Sequence, residues 1–147
     1  MTGKPSMAYW HLWTDGDGVS RQTLCVMTDF DMKSMKPPAE PQWQGRRISG
    51  VMTTMVTVLP VGWIGTWHEN PKPQWIIPLS GRWFVESMDG TRVEMGPGEF
   101  SFGGDQNCRE TGGKLGHRSG TIGDVPAVLM VVQFDDAPAP SAPCAFR

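Results

Sequence analysis

No window of a dozen or more residues repeats apolar positions at helical spacing without a Gly or Pro breaking it, which excludes a helical bundle and a helix-covered parallel sheet. Basic charge is never gathered. The 13 Lys and Arg stand against 15 Asp and Glu, for a formal charge of −2, and no basic stripe is present to track a phosphate backbone. Nucleic acid is therefore excluded as a partner. Cysteine is scarce too: Cys25, Cys108 and Cys144 are odd in number and lack CxxC spacing. That speaks against a disulfide framework and a thiolate zinc site, and for free thiols in a reducing compartment. No stretch approaches the roughly 20 apolar residues that span a bilayer, and MTGKPSMAYWHLW has neither the cationic start nor the apolar core of a signal peptide. The expectation is a cytoplasmic protein without membrane contact. Also missing are the Gly-x-Ser-x-Gly elbow, the P-loop, a GxGxxG after a strand, and HExxH.

What is present reads as strand and turn. The 147 residues suit one domain, and the 18 Gly and 13 Pro follow no short period, so collagen-like and low-complexity readings fail. Runs rich in Val, Ile, Met and aromatics cover residues 23–28, 51–59, 75–79, 82–87, 91–95 and 127–134. Ser80-Gly81, Asp89-Gly90, Gly96-Pro97-Gly98 and Gly123-Asp124 separate them, and these residues supply the φ values that tight turns require. Such spacing predicts an all-β fold, an antiparallel jelly-roll barrel with few or no helices. No internal repeat is visible, so one barrel is expected, over residues 1–136. The Pro-containing segment 32–44 reads as a surface loop, and the Pro/Ala-rich residues 137–147 as a flexible tail. Seven Trp, six Phe and ten Met read first as core packing and second as the lining of a pocket.

Only three histidines are available for chemistry: His11, His68 and His117. His68 stands in Gly62-Trp-Ile-Gly-Thr-Trp-His68-Glu69-Asn70-Pro-Lys-Pro-Gln74, which runs into an apolar strand closing on Gly81. Gly62, His68, Asn70, Gln74 and Gly81 fall where the first cupin motif carries glycine, two histidines, a glutamate and glycine. Gly98-Glu99 and Gly113-Lys-Leu-Gly-His117 follow in the order of the second motif. The chain thus resembles a small one-domain cupin over roughly half its length, with a degenerate first motif: Asn70 replaces a histidine and Gln74 the glutamate. The interval from Gly98 to His117 is longer than usual, so Asp105, Asn107 and Cys108 are alternatives for the second-motif position.

The resemblance implies a site on His68, Gln74 and His117 facing one cavity, with Trp67, Trp75, Asn70 and Arg82 binding a small-molecule substrate, in a homodimer with residues 9–13 as an exchanged strand. It also implies one divalent metal (iron, manganese, nickel or zinc) on His68, His117 and Gln74. Two imidazoles and an amide make a poor donor set, so the metal is expected weakly bound or absent unless Glu69 or Asp105 supplies a carboxylate. Three readings stand. An acid–base enzyme of lyase, dehydratase, isomerase or cyclase type would act on a small carbonyl or hydroxyl compound, since imidazole exchanges protons near neutral pH. A metal-dependent dioxygenase and a non-catalytic ligand-binding cupin are the alternatives. His11, between Trp10 and Trp13, reads as a core or surface residue, and Cys108 as an inert thiol before a nucleophile.

Overall fold

Apolar residues at every second position bury one face of a strand, and where both parities are apolar the strand must be covered on both sides. The second situation governs this fold. A computed structural model describes residues 3–147 as eleven strands and no helix. They are β1 (Met7–Thr14), β2 (Ser20–Met27), β3 (Phe30–Lys33), β4 (Gln42–Gly45), β5 (Met52–Leu59), β6 (Gln74–Ser80), β7 (Arg82–Ser87), β8 (Arg92–Met95), β9 (Ser101–Gly104), β10 (His117–Ile122) and β11 (Ala127–Phe134).

A six-stranded sheet runs β2-β1-β9-β6-β11-β5, a three-stranded sheet runs β10-β7-β8, and β3-β4 form a separate hairpin. The all-β expectation therefore holds. Two of its details change: β1 and β9 pair in parallel, so the large sheet is mixed, and the sheets do not close into a barrel. The hairpin also lies across the two ends of the segment expected to be a loop. Residues 9–13, put forward as an exchanged strand, are interior to the large sheet, where β1 pairs with β2 and β9 of the same chain.

Between the two sheets lies one core. Leu12, Ile76, Leu129 and Val131 of the large sheet meet Trp83, Val85, Val93 and Met95 of the small one. A second cluster occupies the opposite face of the large sheet, where the alternate residues Tyr9, Cys25, Trp75, Phe102 and Phe134 point. No other sheet covers that face. The C-terminal segment does, laying Cys144 and Phe146 against it.

This corrects two expectations. Residues 137–147 do not end as a free tail, because Cys144 is disulfide-bonded to Cys25 and Phe146 packs among aromatic rings. Nor are all three cysteines free; only Cys108 is. The two bonded residues lie 119 positions apart, a pairing that only the fold brings together. Disulfides persist mainly in oxidising compartments, so the cysteines no longer support a cytoplasmic location. No helix among the described residues is long and apolar enough to cross a membrane.

His11 shares the outer face and is fully buried, with Nδ1 accepting a hydrogen bond of 3.0 Å from the Cys144 amide. Burial without an anionic partner pushes its pKa down to about 4. The unfolded chain takes up this proton near 6.5 and the folded chain only near 4, so stability is intact above 6.5 and falls as pH drops through that window. The full loss is about 3 kcal/mol. In denaturant titrations from pH 7 to 4, the stability of His11→Phe should fall less steeply than that of the wild type. Parallel curves would contradict the assignment.

Candidate functional site

Three chain segments meet at one end of the two-sheet core. The loop before β6 carries His68 and Asn70 and ends at Gln74; Asp105 follows β9; His117 opens β10. His68 and His117 are joined by a two-way backbone bridge, His68 N to His117 O at 3.0 Å and His117 N to His68 O at 2.9 Å. Gly116 makes this approach feasible. Its φ is +71°, and a Cβ there would overlap the His68 carbonyl. The bridge sets the imidazoles side by side, ring centroids 4.7 Å apart and planes inclined by 50°. His68 stands at the exposed rim, and His117 is buried.

Behind His117 lies Asp105, whose side chain is fully buried. Its Oδ2 is 2.7 Å from His117 Nδ1, and its Oδ1 accepts from the Asn70 amide N at 3.0 Å and from Asn70 Nδ2 at 2.8 Å. Burial pushes the Asp105 carboxyl upward, but the charge and hydrogen bond of His117 and the two Asn70 donors outweigh it and hold the pKa below its ordinary value. An ionised carboxylate only accepts, and that fixes the polarity of everything attached to it. Asn70 must turn its NH2 to Asp105 and its Oδ1 to Gln74, whose Nε2 donates at 2.6 Å. Gln74 Oε1 is left buried without a partner. His117 gives its Nδ1 proton to Asp105, so the neutral ring keeps its lone pair on Nε2. His68 Nδ1 is likewise engaged, 2.7 Å from the Thr66 carbonyl, which accepts and so selects the same tautomer.

Of the residues singled out in the sequence, His68, Asn70, Gln74 and His117 are brought together, with Asn70 bridging Asp105 to Gln74 instead of facing open space. Three are placed elsewhere. Trp75 follows Gln74 in β6 and so faces the outer side, against Tyr9, Phe100, Phe102 and Phe146. Trp67 lies beside Lys114 Nζ at 5.4 Å and the Arg118 guanidinium at 5.8 Å. Arg118 is adjacent to His117 in β10 and points to the opposite face, so Trp67 lies across the strand from the imidazoles. Arg82 pairs with Ile122 at the far end of β7 from the Ser87–His117 pair, roughly 16 Å away along the strand, and its guanidinium approaches Glu99. Asn107 is exposed in a left-handed turn. The Cys108 thiol is raised by burial and donates to the Asp105 carbonyl, which suits an inert thiol.

A divalent metal fits this donor set poorly. Both Asp105 oxygens are committed, Glu69 Oε1 accepts from the Cys108 amide at 2.8 Å, and Gln74 turns its NH2 toward Asn70. Two imidazole nitrogens and the neutral Gln74 Oε1 remain, a weaker donor set than imidazoles with a free carboxylate. Among the described residues no group of three or more His, Cys, Asp and Glu is arranged to hold a metal ion.

No family model matches the chain, and neither does any curated protein. In structure it is similar to the crystal structure of protein NMB1881 from Neisseria meningitidis, at 16% identity over 63% of this chain and 84% of that one, with a TM-score of 0.43. That is a distant likeness.

Gly103 lies opposite Gln74 across β6 and β9, and a Cβ at this position would overlap the Asn70 side-chain amide. Asn70 is short, buried and tied to both neighbours, so it cannot step aside. Gly103→Ala should therefore destabilise the protein by about 1–3 kcal/mol, read by denaturant titration. An unchanged midpoint would show that Asn70 is not held as described.

Proposed function

We propose that this chain is a cupin-type jelly-roll enzyme using the His68–His117 pair for acid–base chemistry on a small carbonyl or hydroxyl compound, with lyase, dehydratase, isomerase or cyclase reactions in its range. The observation that carries this reading is the buried Asp105–His117 contact beside a second imidazole. A carboxylate behind one ring fixes its tautomer and favours its cationic form when a proton arrives at Nε2. The neighbouring ring presents its own Nε2. One imidazole removes a proton from the substrate while the other, protonated, donates to the developing oxyanion or leaving hydroxyl. Gln74, tied to the network through Asn70, is the residue proposed to orient the substrate carbonyl or hydroxyl. A homodimer, as the resemblance implies, belongs to the same proposal.

The test begins with a thermal-shift screen of small carbonyl, hydroxy and enolisable compounds, followed by turnover of the compounds that bind. His68→Gln, His117→Gln and Asp105→Asn should each lower turnover by about 10²- to 10⁴-fold while binding changes by about tenfold or less. Trp75→Ala should instead unfold the protein at lower denaturant, by about 3–5 kcal/mol, because its ring is core. Histidine variants that bind and turn over like the wild type would leave a binding module. Iron, manganese, nickel or zinc surviving chelator dialysis in stoichiometric amount, with His68 as a ligand, would establish the dioxygenase reading instead.

A further inference from the structure

The outer aromatic face plays no part in the imidazole chemistry, yet the chain closes it with a covalent bond. Phe146 lies with ring centroids 4.6 Å from Phe102, 5.0 Å from Trp75 and 6.2 Å from Tyr9. Its backbone is held by one residue: the Tyr9 hydroxyl donates to the Phe146 carbonyl at 3.0 Å and accepts from the Phe146 amide at 3.1 Å. A third hydrogen bond runs from the Cys144 amide to His11 Nδ1. The disulfide to Cys25 sits two residues before that ring.

We infer that the Cys25–Cys144 disulfide is a redox latch holding residues 142–147 as a strap over this face, and that two-electron reduction by a dithiol releases the strap and opens an aromatic groove that Phe146 fills in the oxidised chain. Three hydrogen bonds and one half-buried ring must otherwise offset the ordering of six residues, and the conformational entropy lost on ordering them is the larger quantity. The body beneath does not need the strap for its integrity. Its main core, between the two sheets, contains no residue of the C-terminal segment.

Access favours the reaction. Cys25 is buried at 2% exposure, while Cys144 is half-buried near the chain end. A thiolate of the dithiol attacks the Cys144 sulfur, Cys25 leaves as thiolate and is protonated, and the second thiol of the reagent resolves the mixed disulfide. Cys25 and Cys144 end as thiols and the reagent as its cyclic disulfide. The groove that opens is walled by Tyr9, Trp75, Phe100 and Phe102, so the ligand it suits is a planar aromatic one.

The full-length protein is compared oxidised, dithiol-reduced and as Cys144→Ser, with circular dichroism following the fold and near-native conditions throughout. Amide hydrogen–deuterium exchange read by mass spectrometry should be at least about tenfold faster over residues 142–147 in the reduced protein and in Cys144→Ser than in the oxidised protein. Binding of the dye 1-anilinonaphthalene-8-sulfonate should rise in parallel. Equal exchange rates over residues 142–147 in all three would overturn the latch, and so would loss of the β-sheet signal on reduction, since the strap would then be part of the folding unit. None of these readouts involves His68 or His117, so the inference stands or falls apart from the acid–base assignment.

Discussion

The sealed carboxylate of Asp105 is the constraint on which the site depends. An ion taken out of water costs several kcal/mol unless its lone pairs are met, and here one imidazole N–H, one backbone amide and one side-chain amide meet them. These donors come from two distant segments, the loop leading to β6 and the start of β10. Satisfying one carboxylate therefore pins both segments to the end of β9. The same charge orients Asn70, and through it Gln74, so the direction of every hydrogen bond follows from a single ionisation state. The two Nε2 lone pairs exist because the Nδ1 protons are engaged elsewhere.

The large sheet divides the molecule by parity. Its inner residues build the core and the polar network, and its outer residues build an aromatic layer that the C-terminal segment covers. His11 Nε2 on the outer side lies 3.2 Å from where a Cβ of Gly104 would stand, and Gly104 precedes Asp105. A side chain at Gly104 would press on His11 and on the Leu12 carbonyl, next to the position where β9 delivers its carboxylate.

Much of this was legible in the sequence, and what escaped has physical causes. The apolar runs at 51–59, 82–87 and 127–134 match β5, β7 and β11 closely, because β-branched and aromatic runs favour strands whether covered, as in β7, or largely exposed at the sheet edge, as in β5. β9 (Ser-Phe-Gly-Gly) and β10 (His-Arg-Ser-Gly-Thr-Ile) carry no such run. They flank the candidate site, where small and polar residues stand in place of apolar ones, so the hydrophobic signal that would have revealed them is missing. Motif spacing located His68, Asn70, Gln74 and His117, and offered Asp105 only as a substitute ligand. Its role as the partner of His117 depends on a three-dimensional contact between residues 12 positions apart. Trp75 was within reach of simple alternation, since a residue next to inward-facing Gln74 must face outward. The disulfide was not, because three cysteines without close spacing carry no pairing information.

The most direct test of the site is the tautomeric state of its two imidazoles. Two-dimensional ¹⁵N–¹H correlation through the ring carbons, recorded where both rings are neutral, distinguishes a protonated from an unprotonated nitrogen at each position. With Asp105 accepting from His117 and the Thr66 carbonyl from His68, both rings should carry their proton on Nδ1 and a free lone pair on Nε2. In Asp105→Asn, His117 should lose that strict preference while His68 keeps it. A wild-type His117 protonated on Nε2 would contradict the account, because the buried carboxylate would then not be the group that sets the chemistry of the pair.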